Sequence, residues 1–93
     1  MSFRRAAKID ANQPAIVKEL RKLGWYVLLV SQLKNCCDII ISKNGRTVAV
    51  EIKDGSKPPS ARKLSLGEQK FMDEWQGEYA LIESIEDIYT KLN

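Results

Sequence analysis

The sequence predicts an α/β domain in which a mixed central sheet is flanked by helices, in the order α-β-β-β-α-β-α. Three observations support this fold class. Residues 16–23 carry apolar side chains at helical spacing, and three short apolar runs rich in branched side chains follow them. The second and third runs are separated by Asn44-Gly45, a dipeptide typical of two-residue hairpin turns. The rest of the chain alternates helix, strand and helix, which favours a right-handed crossover to a parallel strand.

The first helix is expected to begin near Asp10 or Asn12, since either residue can cap a helix. Pro14 suits the first turn, and Gly24 stands where a helix is expected to end. The apolar stripe consists of Ile16, Val17, Leu20 and Leu23.

The three strands predicted next are residues 25–30, 38–41 and 47–53. The first is rich in aromatic and branched residues, and the second is apolar enough to be buried on both faces. The hairpin turn makes the second and third strands antiparallel.

Residues 54–64 form a loop rich in Gly, Pro, Ser and basic residues, and long loops in compact domains are often functional. Ser65 and Glu68 have the spacing of a capping box that opens a second helix, and Gly77 is expected to end it. The side chains expected to face inward from this helix are Phe71, Met72 and Trp75.

The chain then predicts a short strand at 79–82 and a last helix capped by Ser84 with Asp87. A parallel pairing of this strand with the 47–53 strand would complete the mixed sheet.

Composition bounds the possible chemistry. The chain has 93 residues, enough for one small domain, and its apolar fraction of 44% is that of a globular protein. It has no apolar run long enough to span a bilayer and no signal-peptide pattern, so we expect no membrane partner and a cytoplasmic location. Cys36 and Cys37 are adjacent and are read as reduced packing residues. The absence of histidine excludes histidine bases, histidine zinc sites and Ser-His-Asp triads.

Basic residues cluster along the chain although the formal net charge is only +3. Residues 1–9 read as a basic arm, and further basic side chains surround the 54–64 loop. This asymmetry favours a polyanionic partner, while an ordinary solvated surface is the alternative. The basic residues expected to contact the phosphates of such a partner are Arg4, Arg5, Lys8, Lys18, Arg21, Lys22, Lys57, Arg62 and Lys63.

Asp38, Glu51 and Lys53 are the candidate catalytic group. Side chains alternate along a strand, so Glu51 and Lys53 share a face. If the strands pair across the hairpin, Asp38 lies beside them. Two carboxylates favour a hard divalent cation, and an adjacent lysine can orient water or stabilise charge on a phosphate. The alternative is a surface ion pair worth less than about 1 kcal/mol.

These residues resemble the PD-(D/E)xK nuclease superfamily, and more specifically a stand-alone VRR-NUC domain of the phage and bacterial type. The resemblance covers nearly the whole chain and implies a restriction-endonuclease-like α-β-β-β-α-β core. The matching segments are Asp10-Ala11-Asn12-Gln13, Cys37-Asp38-Ile39-Ile40, Val50-Glu51-Ile52-Lys53, Lys57 to Leu64, and Leu66 with Gln69.

The resemblance implies roles for particular residues. Asp38 and Glu51 stand for the acidic metal ligands, and the Ile52 carbonyl is expected to face the metal. Lys53 matches the lysine that positions or activates water. Gln69 matches a glutamine that supports the site, although a polar residue flanking an apolar helix face is its alternative.

The chain departs from the family pattern at two places. Cys37 stands where proline is usual before the aspartate, which alters backbone stiffness more than chemistry. Many relatives also carry a metal-site glutamate in the first helix. Asp10 is the nearest candidate here and Glu19 a poorer one, and either could be a cap or a surface charge.

The activity implied is hydrolysis of DNA phosphodiester bonds by a Mg²⁺- or Mn²⁺-dependent endonuclease. The resemblance also favours a homodimer acting on branched, Holliday-junction-like DNA. One alternative is a non-catalytic nucleic-acid-binding module of the same fold. Another is an interaction protein that uses Trp25, Trp75 and an exposed sheet edge for assembly.

Overall fold

A computed structural model describes residues 9–92, which form a four-stranded mixed sheet and three α-helices. The element order along the chain is the predicted one. Residues 1–8 of the predicted basic arm, with Arg4, Arg5 and Lys8, lie outside the described residues. The helices are α1 (Gln13–Lys22), α2 (Leu66–Glu74) and α3 (Ile85–Lys91), and the strands are β1 (Tyr26–Leu29), β2 (Ile39–Lys43), β3 (Arg46–Ile52) and β4 (Glu78–Ile82).

The strand order in the sheet is β1-β2-β3-β4, so β2 and β3 are central and β1 and β4 are edges. β1 pairs antiparallel with β2 and β2 antiparallel with β3, whereas β3 and β4 are parallel. Asn44 and Gly45 have φ angles of 51° and 80°, as expected for the predicted hairpin turn. The hairpin pairs Ile39 with Val50, which brings the start of β2 to the end of β3.

Helices cover both faces of the sheet. On one face, α1 and α3 pack over the branched residues of the central strands and enclose the main core. On the other face, Phe71 of α2 and Trp75, which directly follows the helix, pack with Tyr79 against a smaller buried cluster that includes Ala49. The rings of Phe71 and Trp75 stack, with centroids 5.3 Å apart. The sheet therefore has a closed face under α1 and α3 and a second face on which the start of α2 lies near the end of β3.

Asn12 occupies the N-cap position of α1, and a proline stands in the first turn as predicted. The Asn12 side chain does not cap the helix. Its Nδ2 instead donates to the backbone carbonyls of Lys53 and Glu83, at 3.0 and 3.2 Å. Asn12 therefore ties the start of α1 to the ends of two parallel strands. Gly24 follows the helix with a φ of 95°, the left-handed conformation expected of a C-terminal glycine.

The predicted bounds of α2 were partly wrong. Ser65 and Glu68 form both hydrogen bonds of the capping box, as expected. The helix, however, ends at Glu74 rather than near Gly77. Trp75 is already extended, with a ψ of 127°, and its indole N–H donates to the Glu78 carbonyl at 2.8 Å. The helix therefore ends before Gly77, and β4 begins directly after that glycine.

The start of α3 differs in a smaller way from the prediction. Ser84 is the N-cap residue, but its side chain makes no capping hydrogen bond. Asp87 still holds the start of the helix, but its carboxylate accepts the backbone N–H of Glu83, one residue before the N-cap, at 2.8 Å.

Candidate active site

Asp38 lies directly against the end of β3. Its backbone N–H donates to the Val50 carbonyl at 3.1 Å, which extends the β2–β3 ladder by one residue. Its side-chain Oδ2 accepts the Ile52 backbone N–H at 2.8 Å. The hairpin register and this hydrogen bond fix the Asp38 carboxylate beside the last residues of β3, where the sequence placed Glu51 and Lys53.

Glu51 is buried, with 2% of its surface exposed, in the middle of an otherwise apolar strand. Burial raises its pKa most, and the side chains of Asp38 and Glu68 raise it further through hydrogen bonds and charge, to about 10. Three carboxyl groups therefore share one small region. A carboxyl group in this environment holds its proton at neutral pH, and a cation would favour its ionised form.

Lys53 projects from β3 on the same face as Glu51 and is anchored by α2. Its Nζ donates to Glu68 Oε1 at 2.8 Å, and its side chain is only 13% exposed. Burial opposes the charged form, but the hydrogen bond and the nearby carboxylates outweigh it and raise the pKa of Lys53. The same pairing lowers the pKa of Glu68 against the opposing effect of burial. Lys53 is therefore a fixed ammonium group beside Glu51.

Glu68 was predicted only as a capping residue, yet it belongs to the site. Its Oε1 accepts both the Ser65 backbone N–H and the Lys53 ammonium, each at 2.8 Å. A capping-box glutamate must lie at the start of its helix, and the crossover brings that start over the end of β3. The capping signal combined with the crossover could have indicated this position.

Asp10 and Glu19 were the two candidates for a further acidic ligand, and the structure separates them. Asp10 lies near Lys53 and Asp38. Burial raises the pKa of Asp10 most, the charge of Lys53 lowers this pKa, and the charge of Asp38 raises it. Glu19 instead accepts a hydrogen bond from the Tyr89 hydroxyl of α3. Only Asp10 borders the carboxyl cluster.

Gln69 is not brought into the cluster. Its side chain is exposed, and its amide donates to Asp73 one turn along α2, at 2.9 Å. In this conformation Glu68, and not Gln69, reaches toward β3. The supporting role suggested for Gln69 therefore stays a prediction, and among the described residues its side-chain hydrogen bond goes to Asp73 rather than to the cluster.

Gln13 and Ser31 also contact the site, although no role was predicted for either. The Ser31 hydroxyl lies 3.1 Å from the Asp38 carbonyl and 3.4 Å from its Oδ1, and it accepts the Gln13 side-chain amide at 3.3 Å. Gln13 is 4% exposed. Glutamine is seldom this buried. The contact of Gln13 with Ser31, and through Ser31 with Asp38, is visible only in the folded structure.

The basic residues predicted to contact DNA are placed differently from one another. Arg62 forms a 2.8 Å ion pair with Glu83, and both side chains are 25% exposed. Lys57 lies 4.0 Å from Asp10 at the edge of the carboxyl cluster. The side chains that face solvent are Lys18, Arg21 and Lys22 on α1 and Lys63 in the loop.

A polar cleft of about 310 Å³ leads from the surface to this cluster. One wall is the segment 31–38, which ends at Asp38, and the other is the start of α2 with Glu68. Lys34 stands in the first wall. The cleft lining therefore combines the Asp38 and Glu68 carboxylates with the Lys34 ammonium.

The donor set suits a magnesium-like cation. Within residues 9–92, no three Asp, Glu, Cys or His side chains are arranged as a ligand group. Mg²⁺ needs fewer protein ligands than this, because it binds through one or two carboxylates and retains water or substrate oxygens. Asp38 and Glu51 would supply the carboxylates. The Ile52 N–H points toward Asp38, and in an extended strand the carbonyl of a residue lies on the same side.

Comparisons with models of protein families, with curated proteins and with solved structures found no match. Among the described residues, none of the helices has the length and apolarity needed to span a membrane.

Proposed function

We propose that the protein is a Mg²⁺- or Mn²⁺-dependent endodeoxyribonuclease of the VRR-NUC type, with the restriction-endonuclease-like arrangement of the PD-(D/E)xK superfamily. The observation that carries this proposal is the placement of a buried Glu51 carboxyl, the Asp38 carboxylate and the Lys53 ammonium at one end of paired central strands. Buried carboxyl groups close to one another are costly to a fold, so a functional reason for retaining them is expected.

The residues of the site have separate roles in the proposed reaction. Asp38, Glu51 and the Ile52 carbonyl would hold the cation, with Asp10 at the border of the site. The bound cation supplies charge stabilisation at the phosphate and a more acidic water. Lys53 keeps its proton, because its pKa is raised, and it therefore orients water and stabilises phosphate charge rather than acting as the base. Glu68 holds the ammonium in place.

Exposed basic side chains on α1 and in the 54–64 loop would contact flanking phosphates without reading sequence. Arg62 contributes less than expected, since Glu83 already pairs with it. Lys57 is exposed beside Asp10, and Lys63 is exposed in the loop.

The test is cleavage of labelled four-way junction, flap, nicked and linear DNA with Mg²⁺, Mn²⁺ or EDTA. We expect metal-dependent cutting that Asp38→Ala and Lys53→Ala each reduce by at least 100-fold. Lys70→Ala is the matched control, because Lys70 forms an exposed pair with Glu74 one turn away on the same helix. Folded protein that cuts none of these substrates would refute the nuclease proposal.

A non-catalytic nucleic-acid-binding module is the second candidate. The observation in its favour is that Lys53 and Glu68 neutralise each other without a metal or substrate. Such a module would bind DNA equally with Mg²⁺ or EDTA and leave it uncut, so the same panel distinguishes the two functions.

A homodimer is also proposed, since cutting both strands of a junction needs two sites. The edge strand β1 supports it, because Tyr26 is 67% exposed and Leu28 and Leu29 are each 48% exposed. Sedimentation of the protein and of Leu28→Lys tests it, and a monomeric native protein would refute it.

A further inference from the structure

Tyr79 has a buried hydroxyl group that makes no hydrogen bond to any of the described residues. Leaving a buried polar group without a partner costs roughly 1–3 kcal/mol, and native structures contain few such groups. Phenylalanine would fill the same space without this cost. We therefore expect this hydroxyl to find its hydrogen-bond partner in a bound state of the protein rather than in the free protein.

The fold places this hydroxyl beneath the carboxyl cluster. Tyr79 pairs with Ala49 across the β3–β4 ladder, and Glu51 is two residues further along β3. Residues two apart share a face, so Glu51 and Tyr79 are diagonal neighbours on the face that α2 covers. The ring of Tyr79 packs against the buried cluster that includes Cys37 and Ala49, as do Phe71 of α2 and Trp75 just after this helix. Its body is thus fixed by apolar contacts, and its tip lies within reach of the site.

The electrostatics agree with this placement. Burial raises the pKa of Tyr79 most, and the charge of Glu51 raises it next. Smaller contributions come from Cys37, Glu68 and Asp38. A phenol raised above its usual pKa remains a hydrogen-bond donor at neutral pH, and a carboxylate oxygen is the acceptor that it suits best.

In the free protein the carboxyl group of Glu51 hydrogen-bonds with the side chains of Asp38 and Glu68. A cation held by Asp38 and Glu51 would replace these carboxyl–carboxyl contacts. One lone pair of the Glu51 carboxylate would then be available to a neighbouring donor. Carboxylates that ligate metals are usually held by such an outer hydrogen bond.

We propose that Tyr79 is a positioning residue of the acidic site, whose hydroxyl donates a hydrogen bond to the Glu51 carboxylate when Mg²⁺ binds and so fixes the orientation of that ligand. This inference rests on the proposed function. Loss of an outer hydrogen bond of this kind costs about 10–100-fold in metal affinity, and a similar loss is expected here.

The experiment titrates Mg²⁺ alone into the DNA-free, full 93-residue chain and uses two readouts. Calorimetry gives the affinity, and NMR of tyrosines labelled with carbon-13 at Cζ reports hydrogen bonding of each phenol. The variants are Tyr79→Phe, Glu51→Gln and, as the matched control, Tyr26→Phe, whose ring is 67% exposed on β1. Urea unfolding of each variant establishes that it is folded.

We expect the Tyr79 resonance to move on Mg²⁺ binding while those of the other two tyrosines stay in place. Tyr79→Phe should unfold at an equal or higher urea concentration, yet bind Mg²⁺ 10–100-fold more weakly. Tyr26→Phe should bind as the native protein does, and Glu51→Gln should abolish the Tyr79 shift.

The contrary outcomes are distinguishable. If native protein binds Mg²⁺ and cuts DNA, but Tyr79→Phe binds equally well and the Tyr79 resonance does not move, the positioning role is refuted and the nuclease stands. If the native protein binds no Mg²⁺, or if Glu51→Gln binds Mg²⁺ as well as the native protein does, the positioning role and the proposed metal site are refuted together.

Discussion

Replacing Glu51 by glutamine should give the protein a stability advantage over the native protein that grows as the pH rises, with loss of metal binding. In the native fold the pKa of Glu51 is about 10, against an ordinary value of 4.5. Between these values the folded protein holds a proton that the unfolded chain releases. The unfolded state therefore binds fewer protons, and each pH unit of increase lowers the free energy of unfolding by about 1.4 kcal/mol. Glutamine keeps the shape and the hydrogen bonds but cannot ionise.

The expected size follows from this slope. Between pH 6 and pH 8, the stability advantage of Glu51→Gln over the native protein should grow by about 2–3 kcal/mol. For a domain of this length, 1 kcal/mol corresponds to roughly 4–8 °C in melting temperature. The two melting curves should therefore separate clearly over this interval.

Urea unfolding at pH 6, 7 and 8 in EDTA, followed by tryptophan fluorescence, measures the difference directly. Glu74→Gln is the control, because Glu74 is an exposed residue that pairs with Lys70, and its replacement should have a small effect that does not change with pH. A Glu51→Gln advantage that stays constant from pH 6 to pH 8 would show that Glu51 is ionised in the fold. Added Mg²⁺ should stabilise the native protein, by about 2.7 kcal/mol at 100 times its Kd, and leave Glu51→Gln unchanged.

Three further variants test the surroundings of the site. Glu68→Gln keeps the capping box but removes the ion pair to Lys53. We expect kcat for DNA cleavage to fall about tenfold, while the free energy of unfolding measured in urea changes by less than about 1 kcal/mol. An unchanged kcat would mean that Lys53 does not need Glu68 to hold it in place. Arg62→Ala leaves Glu83 half-buried without its cation and should cost about 1 kcal/mol of stability, measured by urea unfolding, with little effect on DNA affinity. Lys63→Ala should do the reverse, weakening DNA binding and reducing its salt dependence by about one phosphate contact in a fluorescence titration. Equal effects of these two replacements on DNA affinity would contradict the distinction drawn between a structural and a contacting cation.

Local signals predicted most of the framework. Asn44-Gly45 determined the hairpin turn, and that turn with the strand periodicity was enough to bring Asp38 to the end of β3. The capping box at Ser65 was also visible, because both of its partners lie within four residues of each other. Signals of this kind depend on backbone geometry that the nearest residues dictate.

The errors came from contacts between distant parts of the chain. The end of α2 was misplaced because the Trp75 indole bonds beyond the helix, which no helix signal encodes. Glu68 was missed as a site residue because its second partner, Lys53, lies on another element. Arg62 was read as a free cation because Glu83, its partner, follows twenty-one positions later.

The hydrogen bonds of Asn12 have a consequence for when the site can exist. They join residues near positions 12, 53 and 83, while the carboxyl cluster draws on side chains from 10 to 68. During synthesis a ribosome-bound chain would hold Asp38, Glu51 and Lys53 long before β4 had emerged. Until β4 pairs with β3, the strand that carries Glu51 would remain an exposed edge, and the Asn12 hydrogen bond to the Glu83 carbonyl could not form. The burial of Glu51 therefore depends on a strand that contributes none of the carboxyl groups of the cluster.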